Sequence, residues 1–306
     1  MKALKTLFTP LALATSLTFS GFALADTITV QHVAGETTLD TNPQRVVVMG
    51  LGSLDVLDTL GIEPVGMVKT YLPSYLEKYQ ADEFKNVGSM FEPDFETIFT
   101  LKPDLIIASP RTAPLAEELS KIAPTVVFQV DSAGYWESTQ QNWRMIGKIF
   151  EKEKEIEEYI TQYQTQIDDI RQFVEAGEID ALTVMTNGGN LSAFGEQSRF
   201  SSIYKDFGFK EAQSGIVEST HGNLISFEYV ASANPSVMFV LDRDQALGRG
   251  DSAGKALLDN DLVNGTKAAK NNHITIMDGN AWYLTAGGMD ATQVMIDDIR
   301  SVLDQE

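Results

Sequence analysis

The sequence predicts an α/β protein of two lobes, each built on a mainly parallel sheet, joined by one long helix. Three observations carry this. The roughly 280 residues that remain after an N-terminal leader exceed what one hydrophobic core organises. Short β-branched runs alternate with amphipathic segments on both sides of a central helical stretch. The two sides also repeat one another at a fixed offset, as set out below.

Residues 1–25 read as a secretory signal peptide. Lys2 and Lys5 precede an apolar stretch over residues 7–22 that ends in Ala23-Leu24-Ala25, an A-x-A cleavage pattern, so the mature chain begins at Asp26. Pro10 and several Ser and Thr residues interrupt the stretch and no stop-transfer flank follows, which argues against a membrane anchor. The chain has no cysteine, which excludes disulfides, thiolate metal sites, thiol catalysis and the lipid-modified Cys that tethers many exported proteins. The expectation is an exported, soluble monomer without a lipid anchor. A Gram-negative periplasm, which retains such a protein, fits better than the medium.

The full chain carries 23 basic and 43 acidic residues, a formal charge of −20, and loss of the two leader lysines makes the balance more negative still. This balance argues against nucleic acid as a partner. Clustered arginines become informative for the same reason, because an anionic ligand needs a local site that reverses the overall field.

In the first lobe, residues 26–137, strands are predicted over 45–49, 64–67, 104–109 and 125–130, with helices over 53–60 and 113–122. Between the halves, Trp143, Ile146, Ile149 and Phe150, then Ile156, Ile160, Tyr163, Ile167 and Ile170, recur at helical spacing with no proline from Pro124 to Pro235. One helix over 138–173, within a connecting segment 138–175, would reach roughly 54 Å at about 1.5 Å per residue, enough to run along two lobes. The spacing holds no steady heptad, which argues against a coiled-coil seam. The second lobe, residues 176–306, shows strands at 181–186, 237–241 and 274–277 and helices at 201–207 and 290–303.

The internal repeat aligns Asp94-Phe95-Glu96-Thr97-Ile98, through Pro103 to Arg111, on Ser226-Phe227-Glu228-Tyr229-Val230, through Pro235 to Arg243, without gaps at an offset of 132 residues. Each copy reads as a capped helix, a proline that ends it, a buried strand, and an arginine just past the strand's C-terminal end. Ligands bind at that edge in open α/β sheets, so Arg111 and Arg243 are expected on opposite walls of one cleft.

These segments resemble the periplasmic substrate-binding proteins of ferric-siderophore ABC importers, in particular the catecholate, enterobactin-type branch. The resemblance covers nearly the whole mature chain. Its most specific stretches are residues 95–111, the run Ser219-Thr220-His221-Gly222 through Glu228, the strand ending in Leu241-Asp242-Arg243, and Asn280-Ala281-Trp282-Tyr283-Leu284-Thr285-Ala286-Gly287-Gly288. It implies two α/β lobes joined by a long helix, the class III periplasmic binding architecture. It also implies a cleft with three arginines, matched here by Arg111, Arg199 and Arg243, and iron ligands from a histidine and a tyrosine, matched by His221 and Tyr283. It further implies one glutamate per lobe for docking on the permease dimer in the inner membrane, matched by Glu96 and Glu228. No intrinsic cofactor is implied; the cargo is a Fe(III)-siderophore complex.

The chemistry agrees with this. An Fe(III)-catecholate complex is strongly anionic, and guanidinium groups stay charged while offering several donors in a fixed fork. Ferric iron favours hard oxygen donors, so a tyrosinate beside an imidazole suits it. His221 lies in a polar loop, whereas His32 and His273 lie at edges of predicted strands, where a surface imidazole is common. Zinc or manganese sites call for more His and carboxylate convergence than three scattered histidines allow.

Two other classes fit the sequence less well. A secreted hydrolase has little support. Gly50-Leu51-Gly52-Ser53 follows a strand but lacks the third glycine of a dinucleotide fingerprint, and no H-E-x-x-H helix occurs. A haem or corrinoid receptor with similar lobes is the remaining alternative, against which three arginines favour a compact polyanion over a mostly apolar macrocycle.

Overall fold

The computed structural model describes residues 26–216, 221–249 and 253–303; the expected leader lies outside the described residues. The chain opens with an antiparallel hairpin, β1 (Thr27–His32) and β2 (Gly35–Asp40). Thr37 Oγ1 donates to the carbonyl of Thr125, which pins the hairpin to the edge of the first sheet.

That sheet consists of β3 (Val46–Val48), β4 (Gly66–Met67), β5 (Lys85–Asn86), β6 (Leu105–Ala108) and β7 (Thr125–Val127), in the order β5-β4-β3-β6-β7. Every pairing is parallel. Strands β3, β6 and β7 are buried throughout, which is why they read in the sequence as continuous apolar runs rather than alternations. The strand order reverses between β3 and β6, so a crevice opens beyond their C-terminal ends.

The second sheet contains β8 (Asp180–Asn187), β9 (Asn190–Phe194), β10 (Lys210–Glu211), β11 (Asn223–Ile225), β12 (Val237–Asp242) and β13 (Ile274–Ile276). Its order is β11-β9-β8-β12-β13, with β10 also paired to β8. It is mixed: β8, β12 and β13 pair in parallel, whereas β9 is reversed and pairs antiparallel with both β8 and β11. The cause is the Gly188-Gly189 pair, both at positive φ (54° and 83°), which closes a two-residue hairpin between β8 and β9.

The expected single long helix is two helices. Tyr135–Ile149 and Glu153–Ala176 pack antiparallel, with Glu151 between them in the left-handed region at φ 54°. Thr41 Oγ1 donates to the Glu151 carboxylate at 3.0 Å and holds the turn. Gly147 is the point of closest approach, where a Cβ would stand 2.7 Å from the Ile156 side chain. The Arg144–Glu157 ion pair and the edge-on Trp143–Tyr163 contact continue the seam. The second helix alone, about 36 Å long at 1.5 Å per residue, makes the crossing. Near its far end Arg171 Nε donates to the carbonyl of Asp206 in the second half.

The terminal helix, Met289–Leu303, returns to the first half. Its first turn meets the helix Leu51–Thr59, where the wholly buried Asp55 accepts the backbone N–H groups of Asp290 and Ala291 at 2.9 and 3.1 Å. Gly288 is required there, because a Cβ would come within 2.4 Å of the Asp55 carboxylate.

The internal repeat is visible in space. Phe95–Leu101 and Phe227–Ala233 are both seven-residue helices, each ended by a left-handed residue, Lys102 at φ 47° and Asn234 at φ 43°, immediately before a proline. The caps differ. Asp94 accepts from Thr97 N at 3.0 Å as expected, but the Ser226 side chain makes no cap bond, and its hydroxyl instead hydrogen-bonds Glu228.

Candidate ligand cleft

A cavity of about 370 Å3 lies between the two sheets. On one side it is walled by residues that leave the C-terminal ends of β3, β6 and β7, namely 50–53, 109–111 and 128–132. On the other stand residues 197–199 and 282–284.

Arg111 follows β6 in a turn that Thr112 fixes: its Oγ1 accepts Ser109 N at 2.9 Å. The Arg111 guanidinium carbon lies 5.5 Å from the centre of the Phe91 ring. Arg199 faces it from the second half, with its guanidinium 4.2 Å from the ring centre of Tyr283 and 5.7 Å from that of Phe200. Arg243 opens the short helix after β12 and donates from Nε to the Tyr283 hydroxyl at 3.1 Å and from Nη1 to Asn187 at 3.0 Å.

Charge is left uncompensated here. Among the ion pairs of the described residues, none includes Arg111, Arg199 or Arg243. Burial pulls Arg199 below the ordinary guanidinium range, opposed by Tyr283 and reinforced by the charges of Arg111 and Arg243. A guanidinium so placed still stays protonated at neutral pH. Its Nε is enclosed without a hydrogen-bond partner. Each arginine thus lies against an aromatic ring, Arg243 at 6.0 Å from the Tyr283 ring centre, and none has its charge cancelled by a carboxylate ion pair among the described residues.

Tyr283 sits on a π-helical turn, Asn280–Leu284, within the stretch 280–288 that carries part of the family resemblance. Such turns are uncommon and recur at functional sites. Burial raises the Tyr283 phenol, but the Arg243 hydrogen bond and the charges of Arg199, Arg243 and Arg111 outweigh it and hold the group below the usual phenol range. The turn is anchored from several directions. Trp282 Nε1 donates to Asp298 at 2.9 Å, Trp143 Nε1 to the Gly287 carbonyl at 2.6 Å, and Gly287 N to the Tyr135 hydroxyl at 2.9 Å.

The structure therefore brings Arg111, Arg199, Arg243 and Tyr283 together. His221 is exposed, in the turn before β11, and does not form part of the cavity wall. Its neighbour Gly222, at φ 73°, packs against the Phe194 ring so closely that a Cβ would lie 2.6 Å from it. Glu96 and Glu228 are exposed in the first turns of the two repeated helices. The Ser226 hydroxyl and a backbone N–H hold Glu228 below the usual carboxylate range. Sequence reasoning missed Asp55, Tyr75 and Phe91. The signal for Asp55 was an acid inside an otherwise apolar helical run, Leu51 to Leu57.

Two α/β halves face each other across a cleft whose arginines have no carboxylate partner among the described residues, an arrangement suited to an anionic solute. The chain belongs to the periplasmic binding protein family, whose model matches residues 46–281. It is 40% identical to the petrobactin-binding protein YclQ of Bacillus subtilis over 91% of this chain and 89% of that protein. It is 34% identical to the ferric-anguibactin-binding protein FatB of Vibrio anguillarum over 89% of this chain and 86% of the relative. Among solved structures, the periplasmic catecholate-siderophore binding protein VctP of Vibrio cholerae superposes with a TM-score of 0.87 at 49% identity, covering 90% of this chain and all of that one.

Proposed function

We propose that this protein captures an Fe(III)-catecholate siderophore in the cleft between its halves and delivers it to the permease dimer of an ABC importer. The observation that carries the reading is a set of three guanidinium groups gathered at one cavity, Arg111 and Arg199 on its wall and Arg243 hydrogen-bonded to the wall residue Tyr283, with no carboxylate partner among the described residues. An oxygen-rich polyanion supplies what that set lacks. A single contact of this kind represents on the order of 4 kcal/mol of Coulomb energy at an effective dielectric of about 20, before desolvation is subtracted. The siderophore ligands of YclQ, FatB and VctP point the same way.

In this reading the lobes 26–137 and 176–306, linked through 138–175, supply one wall each. Tyr283 and His221 coordinate iron when the siderophore leaves two positions open, the exposed turn that carries His221 moving to the cargo while the lobes keep their places. Glu96 and Glu228 dock on the permease. The protein binds without turnover, as a monomer in a Gram-negative periplasm and without a lipid anchor. Tryptophan-quenching titrations with ferric tetradentate and hexadentate catecholates, ferric hydroxamates, haem and cobalamin test the assignment. Tightest binding of the ferric catecholates is expected; tightest binding of haem or cobalamin would overturn it.

A further inference from the structure

Phe91 is 66% exposed, yet its backbone is firmly built. Residues 88–93 form a tight turn in which Ser89 N donates to the Glu92 carbonyl at 2.9 Å and Ser89 Oγ accepts from Phe91 N and Glu92 N at 3.2 and 3.0 Å. Gly88 enters the turn at φ 109°, where a Cβ would fall 2.3 Å from the Glu92 carbonyl oxygen. The preceding side chain, Met90, is buried and lines the cavity, so the turn places Phe91 at the cavity's rim.

A ring this exposed adds little to the core, and its one cation contact is Arg111. Among the described residues, none forms an ion pair or a hydrogen bond with the Arg111 guanidinium. Arginine has high rotamer freedom, and binding has to overcome the entropy of ordering it. A carboxylate could order it too, but would consume donors and cancel the charge. An aromatic face attracts the cation and leaves the N–H fork free. Tyr283 stands in the same relation to Arg199.

We infer that Phe91 is a positioning residue of the ligand site, whose ring holds the Arg111 guanidinium ready for an anionic ligand at the cavity. The inference rests on the reading of Arg111 as an anion contact.

The test uses the mature protein with Phe91→Leu, which keeps an apolar side chain and removes the π face, and Phe91→Trp, which keeps the face. The probes are an anionic ferric bis-catecholamide and a neutral ferric trihydroxamate. Phe91→Leu is expected to weaken the anionic complex about three- to fivefold and leave the neutral one unchanged, as loss of an exposed cation–π contact dictates. Phe91→Trp should bind the anionic complex at least as well as wild type. In an Arg111→Ala background Phe91→Leu should have no further effect.

Equal losses for both probes, or full additivity with Arg111→Ala, overturn the inference. So does loss of transport in cells with affinity intact, which assigns Phe91 to the permease-facing surface. If wild type binds neither probe, the proposed function fails, and Phe91 is then judged on the ligand-free protein by NMR relaxation of the Arg111 Nε–H. Lower order in Phe91→Leu but not in Phe91→Trp sustains the positioning role, and unchanged order in both overturns it.

Discussion

The carboxylate of Asp55 accepts the backbone N–H of Asp290 at 2.9 Å, so an acid in the first half caps the helix that closes the second. Its other oxygen accepts from Ala291 N and from the Tyr75 hydroxyl, which also hydrogen-bonds Thr285. Burial raises Asp55 to about 7, against the lowering effect of the Tyr75 hydrogen bond and with a further rise from the nearby Asp290 charge.

Asp55 should therefore give the protein a proton-linked stability. The folded state binds this proton more tightly than the unfolded chain, where an Asp titrates near 3.9. The contribution is fully present below about pH 4 and is lost as pH rises towards and through about 7. Denaturant unfolding of wild type and Asp55→Asn across pH 4 to 8 checks this. Because Asn does not titrate, the difference in stability between the two should fall by an amount of order 4 kcal/mol over that range. A constant difference would show that Asp55 is ionised throughout.

The arginines should read charge. Arg111→Ala and Arg243→Ala are each expected to weaken an anionic ferric catecholate by about ten- to a hundredfold, the range of a lost charge-assisted hydrogen bond. A neutral ferric hydroxamate should lose less. Isothermal titration of both ligands decides the matter, and equal losses would mean that these residues hold structure instead.

Tyr283 and His221 should act on iron directly. Tyr283→Phe or His221→Ala should weaken a tetradentate ferric catecholate and alter its ligand-to-metal charge-transfer band, while a hexadentate complex, with no open coordination position, should respond less. Unchanged spectra in both variants would remove direct coordination from the mechanism. The depressed phenol of Tyr283 favours this role, since it lowers the cost of forming the phenolate.

Glu96 and Glu228 should separate binding from transport. Glu96→Ala combined with Glu228→Ala is expected to abolish uptake in cells and leave the affinity of the purified protein intact. Normal uptake would reduce both to helix-terminal charges that complement the dipole by about 0.3 to 1 kcal/mol.

Much of this was legible in the sequence, for reasons that differ by residue. Val46–Val48, Leu105–Ala108 and Val237–Asp242 are buried parallel strands, and burial on both faces writes them as apolar runs. Arg111 and Arg243 were found because the repeat placed both at strand ends. The helix break at Glu151 was hidden, since the left-handed position is filled by neither Gly nor Asn; the available clue was the wholly charged run Glu151 to Glu155 between Phe150 and Ile156. The Gly188-Gly189 turn was readable as a hairpin signal and was passed over in favour of a parallel arrangement. Asp55 stood out as an acid in a mainly apolar helical run, but its role as a cap was out of reach, because the two N–H groups it accepts lie 235 and 236 residues away in the chain.

The polypeptide passes from the first half to the second through Glu153–Ala176 and comes back through Met289–Leu303. A molecule strapped twice in this way has little room to swing like a clamshell, because any large rotation must tear the Asp55 cap or slide Gln166 off Gln293 and Arg300. Dyes placed on the two lobes should consequently report only a small change in separation when cargo arrives. A membrane partner that must tell a loaded carrier from an empty one is left to read the mouth of the cleft, where the cargo itself is on display.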